Sequence, residues 1–176
     1  RVSALFACWT SACRKAVKPV VEKHRHLMFY PLQYEGLEQS TALFYTGSAP
    51  NQQIIPGTRW ALDTLGKHIY LLGSDYLFPH AANLIVRDLV RANRGSVLAE
   101  RYRPLGDAEF GAIIAELRAL RPDVVLNTIN GDSNVHFFRA LRAAGLGDIP
   151  VVSFSLAEDG LEAITPEAFH PNHYAV

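Results

Sequence analysis

The sequence lacks the features that mark several specialised classes of protein. Lys plus Arg and Asp plus Glu both total 17, so the formal net charge is zero, and this balance disfavours a nucleic-acid-binding protein. No apolar run approaches the roughly 20 residues that are needed to cross a bilayer. What remains is a chain of 176 residues, 49% hydrophobic and 19% charged, which can bury a core as one domain or two small lobes.

Cysteine is scarce, and the two present, Cys8 and Cys13, are five positions apart. Because residues 11–21 are predicted to be helical, we expect these positions to be poorly placed for a disulfide and predict two part-buried thiols. Zinc would need about four ligands, and no Cys-x-x-Cys is present. Two histidine pairs are interpreted as structural or solvated: His24 with His26, and His170 with His173. No metal site is predicted.

Short apolar runs alternate with amphipathic segments along the chain. Strands are predicted over 2–7, 27–30, 43–46, 68–72, 97–102, 123–129 and 150–154, with another beginning at 174–176. Helices are predicted over 11–23, 51–65, 81–93, 108–120 and 134–144. Apolar strands alternating with helices indicate parallel sheets covered on both faces, and therefore an α/β fold.

The regularity of this pattern changes near residues 65–68. Residues 1–66 contain fewer regular units, and we interpret them as part of an incomplete first lobe. Residues 67–176 form a regular βα series, which predicts a second Rossmann-like lobe. We expect both ends of the chain to be interior points of a longer protein.

Polar and aromatic residues follow the predicted strands directly, at the edge where open parallel sheets bind ligands. Loops are polar in most proteins, but aromatic residues at these positions are unusual: Trp9, Tyr30, Tyr34, Tyr76 and Phe78. Because ligand pockets combine apolar walls with a few fixed polar groups, this pattern predicts a binding site at that edge.

Enzymatic chemistry is poorly supported by the motifs present. Gly131-Asp132-Ser133 matches a short serine-esterase motif, but no base is suitably spaced, so Ser133 is interpreted as a helix N-cap. Cys13 has no histidine nearby in the sequence, which disfavours a thiol nucleophile. Dinucleotide and Walker motifs are absent. Asp75 is compatible with either a ligand contact or a turn cap. The sequence therefore predicts a binding protein without a cofactor.

Six segments carry a resemblance to one family. They are 8–20 (CWTSAxRKAVxPV), 29–36 (FYPLQYEG), 44–53 (FYTGSAPNQQ), 72–79 (LGSDYLFP), 126–134 (LNTINGDSN) and 150–155 (PVVSFS). Together they resemble the urea and short-chain amide receptors of the branched-chain amino acid receptor superfamily. The resemblance covers essentially the whole chain, and it is nearer to the urea-binding component of an ABC importer than to the cytoplasmic amide sensor that controls amidase expression.

The resemblance implies a type I periplasmic-binding fold, whose two lobes close on a ligand, with the first lobe incomplete here. It implies that Trp9, Thr10, Ser11 and Tyr30 line the first-lobe wall, and that Tyr76, Gly131 and Asp132 line the second-lobe wall. The ligand chemistry agrees, because urea and amides need both donors and acceptors. We expect the aromatic faces to enclose the ligand plane, the hydroxyls of Thr10 and Ser11 to bind its carbonyl oxygen, and Asp132 or Glu35 to accept from its N–H groups.

The expected function is that of an extracytoplasmic solute-binding protein, periplasmic or anchored to the outer side of a membrane. It would deliver urea or a short-chain amide to the permease of an ABC importer, with no nucleic-acid partner and no membrane span of its own. A cytoplasmic amide-sensing regulator is the alternative, and a serine hydrolase using Ser133 is a weaker one. The sequence leaves urea and acetamide open as ligands.

Overall fold

Two parallel β-sheets organise the chain in the computed structural model, which describes residues 2–164 and 170–176. The strands are β1 (Leu5–Phe6), β2 (Met28–Tyr30), β3 (Leu43–Tyr45), β4 (His68–Ser74), β5 (Ser96–Arg103), β6 (Val124–Thr128), β7 (Val151–Ser153) and β8 (His173–Ala175). The helices are α1 (Ser11–Lys23), α2 (Ile54–Thr64), α3 (Leu77–Ala92), α4 (Gly111–Leu120), α5 (Ser133–Ala143) and α6 (Glu158–Ala163).

The first sheet has the order β1-β2-β3, and the second has the order β5-β4-β6-β7-β8. Every strand pair is parallel. The predicted α/β class with parallel sheets is thereby confirmed. Parallel strands that share a direction place their carboxyl ends at one edge, where loops gather polar groups.

The second sheet is buried on both faces. Side chains alternate along its central strands, so that Tyr70 and Val125 enter one core with α4 and α5. Their neighbours Ile69 and Leu71 enter the other core with α2 and α3. This two-sided burial explains why β4 and β6 are continuous apolar runs in the sequence.

Packing assigns α2 to the second sheet, since its buried residues Ile54, Ala61 and Leu62 join the core beneath β4 and β6. The helix precedes the boundary predicted at residues 65–68, and the division into lobes at 1–66 and 67–176 stays a prediction. Within the described residues, no helix combines the length and the apolar character that a membrane crossing requires.

The helix starts follow local chemistry. Helix α1 matches the prediction, and the Thr10 side chain caps it by accepting a hydrogen bond from the Cys13 N–H at 3.3 Å. Helix α2 starts at Ile54, which places Pro56 in its first turn. Helix α3 starts at Leu77, four residues earlier than predicted, with Pro79 likewise in its first turn. Proline is tolerated there because the first-turn N–H groups have no helical partner.

The prediction of two separate thiols was wrong, because Cys8 and Cys13 form a disulfide. Cys8 lies before the helix and has a φ of 71°. The chain bends at Trp9 and Thr10 and returns Cys8 over the first turn of α1. The two Cα atoms are therefore 5.4 Å apart, a usual disulfide separation. The sequence argument failed because it ignored this reversal ahead of the helix.

Candidate functional site

A cavity of about 420 Å³ lies between the loops that follow the two sheets. Trp9, Leu32 and Gln33 line it from the side of the first sheet. The loops after β6 and β7 line it from the other side, with residues such as Asp132 and Ser155. Its position matches the predicted edge, where the carboxyl ends of parallel strands meet.

Trp9 and Gly131 bring the two sides of the cavity together. Trp9 is half exposed, and its Cη2 atom would lie 3.5 Å from a Cβ placed on Gly131. Gly131 has a φ of 64°, a left-handed conformation that a residue with a side chain would adopt only with strain. A glycine at this position lets the loop turn directly beneath the indole.

The start of α1 carries the predicted hydroxyls. The Thr10 hydroxyl is engaged as the helix cap. Ser11 is 1% exposed, and its Oγ atom has no hydrogen-bond partner among the described residues. A buried hydroxyl without a partner is costly, so this oxygen is a candidate ligand contact, although neither hydroxyl lines the cavity in this conformation.

Tyr30 and Tyr76 do not line the cavity in this conformation, but each bonds to a residue that does. The Tyr30 hydroxyl donates to the Trp9 carbonyl oxygen at 3.4 Å, and the Tyr76 hydroxyl accepts from Asn130 Nδ2 at 2.8 Å. Burial raises the pKa of Tyr76, and the charges of Tyr30 and Glu35 raise it further. The bond to Asn130 links Tyr76 to the loop after β6, and the bond to Trp9 links Tyr30 to the loop after β1.

Glu35 is engaged in a buried ion cluster around Arg14. The Arg14 guanidinium is 1% exposed, and its Nη2 atom contacts Glu35 at 2.8 Å and Glu38 at 3.0 Å. Burial alone would lower the pKa of Arg14, but its hydrogen bonds to both carboxylates raise it. One carboxylate oxygen of Glu35 serves Arg14, and its Oε1 has no partner among the described residues. A ligand role for Glu35 stays a prediction.

A buried amide network holds the Asn130–Asn134 loop. Asn127 Nδ2 donates to Asn134 Oδ1 at 2.9 Å and to Ser153 Oγ at 3.0 Å. Asn127 Oδ1 accepts from the Ile129 N–H, and Asn134 Nδ2 donates to the Ile129 carbonyl oxygen. A network whose members are satisfied fixes one conformation. The sequence analysis missed this role of Asn127, which the polar residue inside the apolar β6 could have signalled.

Ser133 was predicted as the N-cap of the helix, and this was wrong. Asp132 occupies the N-cap position, and Ser133 is the first residue of α5. The Ser133 side chain is fully buried, and its hydroxyl has no partner among the described residues. No histidine therefore contacts it there to serve as a base.

Asp75 pairs with His80 at 2.8 Å, on the exposed start of α3. The Asp75 side chain thus pairs with His80, and α3 has Tyr76 as its N-cap without a side-chain cap hydrogen bond. Asp75 does not line the cavity.

Two glutamines connect the cavity walls. Gln33 Nε2 donates to Ser155 Oγ at 2.9 Å. Gln53 Nε2 donates to the carbonyl oxygens of Phe154 at 2.9 Å and Val176 at 2.7 Å. The amide donors are thus used within the protein, whereas Gln53 Oε1 has no partner among the described residues.

The cavity carries one charged side chain among its described lining residues, Asp132. No side-chain hydrogen bond caps the helix from this residue, and it takes part in none of the ion pairs of the described chain. The cation nearest in sequence to the Trp9 loop, Arg14, is neutralised by two glutamates. The cavity therefore presents unused acceptors and an uncompensated negative charge.

Comparison with known families agrees with this architecture. The model of the periplasmic binding protein domain family matches residues 1–176. This chain belongs to that family. Its members are substrate-binding proteins rather than enzymes, which agrees with the prediction of a non-enzymatic protein.

Solved structures of related fold include an R. palustris ABC-transporter solute-binding protein in complex with benzoate, at 20% identity and a TM-score of 0.79, over 94% of this chain and 47% of that one. An amino acid ABC transporter substrate-binding protein from Pseudomonas fluorescens Pf-5 has 20% identity and a TM-score of 0.79, over 94% and 46%. A Leu, Ile, Val, Thr and Ala-binding protein from Brucella ovis, in its closed conformation, has 15% identity and a TM-score of 0.78, over 94% and 46%.

At these identities the likeness establishes the fold. The chain spans about half the length of the structures that it matches.

Proposed function

We propose that the protein containing this chain is an extracytoplasmic solute-binding protein that captures urea or a short-chain amide between its two lobes. The captured solute is passed to the membrane permease of an ABC importer. The observation that carries the proposal is the cavity whose charged lining residue is the unpaired carboxylate of Asp132.

Hydrogen-bond accounting supports a neutral ligand rich in N–H groups. The donors of Gln33 and Gln53 are used by protein oxygens, while Asp132 and Gln53 Oε1 remain as acceptors. A carboxylate ligand would place its charge in the same cavity as Asp132, which costs free energy because like charges repel. Benzoate, which is bound by the R. palustris protein, carries such a charge, whereas urea and amides are neutral.

The predicted ligand residues have separate parts in this proposal. Trp9, with Gly131 beneath its ring, forms the apolar wall, and Asp132 accepts from the ligand N–H groups. Ser11, Thr10 and the tyrosines Tyr30 and Tyr76 complete the site as the lobes move around a ligand. Lobe closure then distinguishes the loaded protein for the permease.

The disulfide between Cys8 and Cys13 supports an extracytoplasmic location. Disulfides persist in oxidising compartments such as the bacterial periplasm and are rare in the cytosol. The same observation disfavours the alternative of a cytoplasmic amide sensor. Mass spectrometry of the protein isolated from its native compartment, with and without reduction before alkylation, checks the bond. Two free thiols in that protein would favour the cytoplasmic alternative.

Isothermal titration calorimetry of the full-length protein tests the ligand class. We expect binding of an amide or urea and no measurable binding of leucine or benzoate at the same concentrations. Tight binding of leucine or benzoate, with none of any amide, would overturn the proposal.

A further inference from the structure

We propose that the ligand of this site is a primary amide with an apolar substituent, such as butanamide, hexanamide or benzamide, rather than urea itself. This inference rests on the proposed function, because it assumes that an amide head binds in the cavity. It follows from the size of the cavity and from the residues that surround its acceptors.

The cavity is larger than a urea molecule requires. Its volume is about 420 Å³, within the range of about 300–1,000 Å³ typical of pockets for drug-sized ligands. In this conformation, a ligand without carbon substituents would leave most of this space to water. Such a ligand would gain little from removing apolar surface from solvent.

Apolar side chains line the cavity from both sheets. Leu32 contributes from the side of the first sheet, and Val135, Phe154 and Leu156 contribute from the side of the second. Leu32 and Leu156 are only partly buried and pack at the margins of two different cores. The space between them is thus bounded by hydrocarbon that a substituent would cover.

The acceptor and the apolar wall are adjacent. Asp132 is the N-cap of α5, and the Val135 N–H donates to the Asp132 carbonyl oxygen at 3.0 Å, one turn along. Residues three apart on a helix occupy neighbouring positions on its surface. An amide whose N–H group meets the Asp132 carboxylate therefore directs its substituent along Val135 toward the apolar wall.

The polar groups of the lining also favour a substituent that is neutral and apolar. Among the described lining residues, Gln33 and Ser155 already bond to each other, and the acceptors left free include Gln53 Oε1 and the Asp132 carboxylate. A second polar group on the ligand would lose water and could meet Gln53 Oε1, whereas the apolar wall of the cavity offers it no partner. The site thus favours an amide head with a hydrocarbon tail over urea, whose two ends are both polar.

Calorimetric titration of the full-length protein with urea, acetamide, butanamide, hexanamide and benzamide tests this inference. Burial of each methylene group is expected to tighten binding by about fourfold, so that the dissociation constant falls from acetamide through butanamide to hexanamide. Equal or weaker binding of the longer amides, with urea or acetamide tightest, would overturn this inference and leave the proposed function standing. Failure of every amide and of urea would overturn both.

A matched pair of variants keeps the test independent of folding. Val135→Thr preserves the shape of the side chain but puts a hydroxyl in the apolar wall, and we expect the ratio of hexanamide to acetamide affinity to fall severalfold. Val97→Thr makes the same change at a half-buried position of β5 away from the cavity, and the ratio should stay at its original value. An unchanged ratio in Val135→Thr would contradict the proposed path of the substituent.

Discussion

The two sheets of this protein bury their apolar faces to different extents. The five-stranded sheet has a core on each face. The three-stranded sheet has one small core beneath α1. Its other face presents the stacked rings of Phe6, Phe29 and Phe44, with Phe6 76% exposed. The cavity wall formed by the second sheet is therefore backed by a packed apolar core on each face of that sheet. The wall formed by the first sheet has less apolar packing behind it.

Local ties hold the wall on the side of the first sheet. The disulfide fixes the Trp9 loop against α1, and the Arg14 cluster joins α1 to the loop carrying Glu35 and Glu38. Arg14 also lies over the Tyr30 ring, 4.8 Å from its centroid. Within this chain of 176 residues, hydrophobic burial therefore contributes more to the second sheet, and covalent and ionic contacts add to the small core of the first.

The largest expected effect comes from the core of the second sheet. Phe137 is fully buried, and Phe137→Ala should lower the free energy of unfolding by about 3–5 kcal/mol because it leaves a cavity. Thermal unfolding followed by circular dichroism measures this. In this chain Phe44 is 54% exposed on the outer face of the first sheet, and Phe44→Ala should cost about 1 kcal/mol or less. Equal losses in the two variants would remove the contrast between the sheets.

The ion cluster should give the next effect. Arg14→Met leaves the part-buried carboxylates of Glu35 and Glu38 without their cation, and we expect a loss of about 3 kcal/mol. Arg87→Met is the control, since Arg87 pairs with Glu100 at the surface and should cost less than about 1 kcal/mol. A loss in Arg14→Met no larger than in this control would show that the cluster does not stabilise the first sheet.

Reduction of the disulfide should cost less. Closing the short loop between Cys8 and Cys13 is worth about 2 kcal/mol through the entropy of the unfolded chain. A reductant should lower the unfolding temperature of the protein and leave that of a Cys8→Ser/Cys13→Ser double variant unchanged. Reduction should also lower the affinity for ligand, because Trp9 lies inside the loop that the disulfide closes. Identical unfolding and binding before and after reduction would contradict this role.

The effect that is smallest near neutral pH, and grows only on acidification, is a pH dependence that belongs to the second sheet. Burial of His173 in β8, together with the charge of His170, lowers its pKa from 6.5 to about 4. The unfolded chain therefore takes up this proton first as pH falls. The stabilisation is fully present above pH 6.5 and is lost toward pH 4.

Unfolding temperatures measured from pH 7 to pH 4 should fall less steeply for His173→Gln than for the original protein. His24→Gln, at an exposed helix end, should follow the original profile. A profile for His173→Gln identical to the original would exclude this contribution.

Much of the fold was predictable, because hydrophobic periodicity reports which residues are buried. The continuous apolar runs of β4 and β6 identified the central strands, and the amphipathic pattern over 11–23 located α1. Tertiary contacts escaped the same reasoning. The sequence alone suggests that Arg14 is an exposed cation. It is buried because it packs against two tyrosines and two glutamates of other segments: Tyr30, Tyr34, Glu35 and Glu38.

The location of the site was predictable from the sequence, but the contacts between its residues were not. Trp9, Gly131 and Asp132 line or border the cavity as strand ends suggested. The left-handed conformation of Cys8 is a local feature of the backbone. The link between Gln33 and Ser155 and the bond from Asn127 to Ser153 depend on contacts between segments that are distant in the sequence. Such contacts leave no periodic signal in the sequence.

The most direct test of the central claim compares benzamide with benzoate, which share a ring and differ in charge. In calorimetry of the full-length protein, we expect benzamide to bind at least about tenfold tighter, because benzoate would meet the Asp132 carboxylate. Asp132→Asn should narrow that ratio severalfold. Asp63→Asn, which makes the same change at an exposed position of α2 away from the cavity, should leave the ratio of benzamide to benzoate affinity unchanged. Tighter binding of benzoate by the original protein, or an unchanged ratio in Asp132→Asn, would contradict the account.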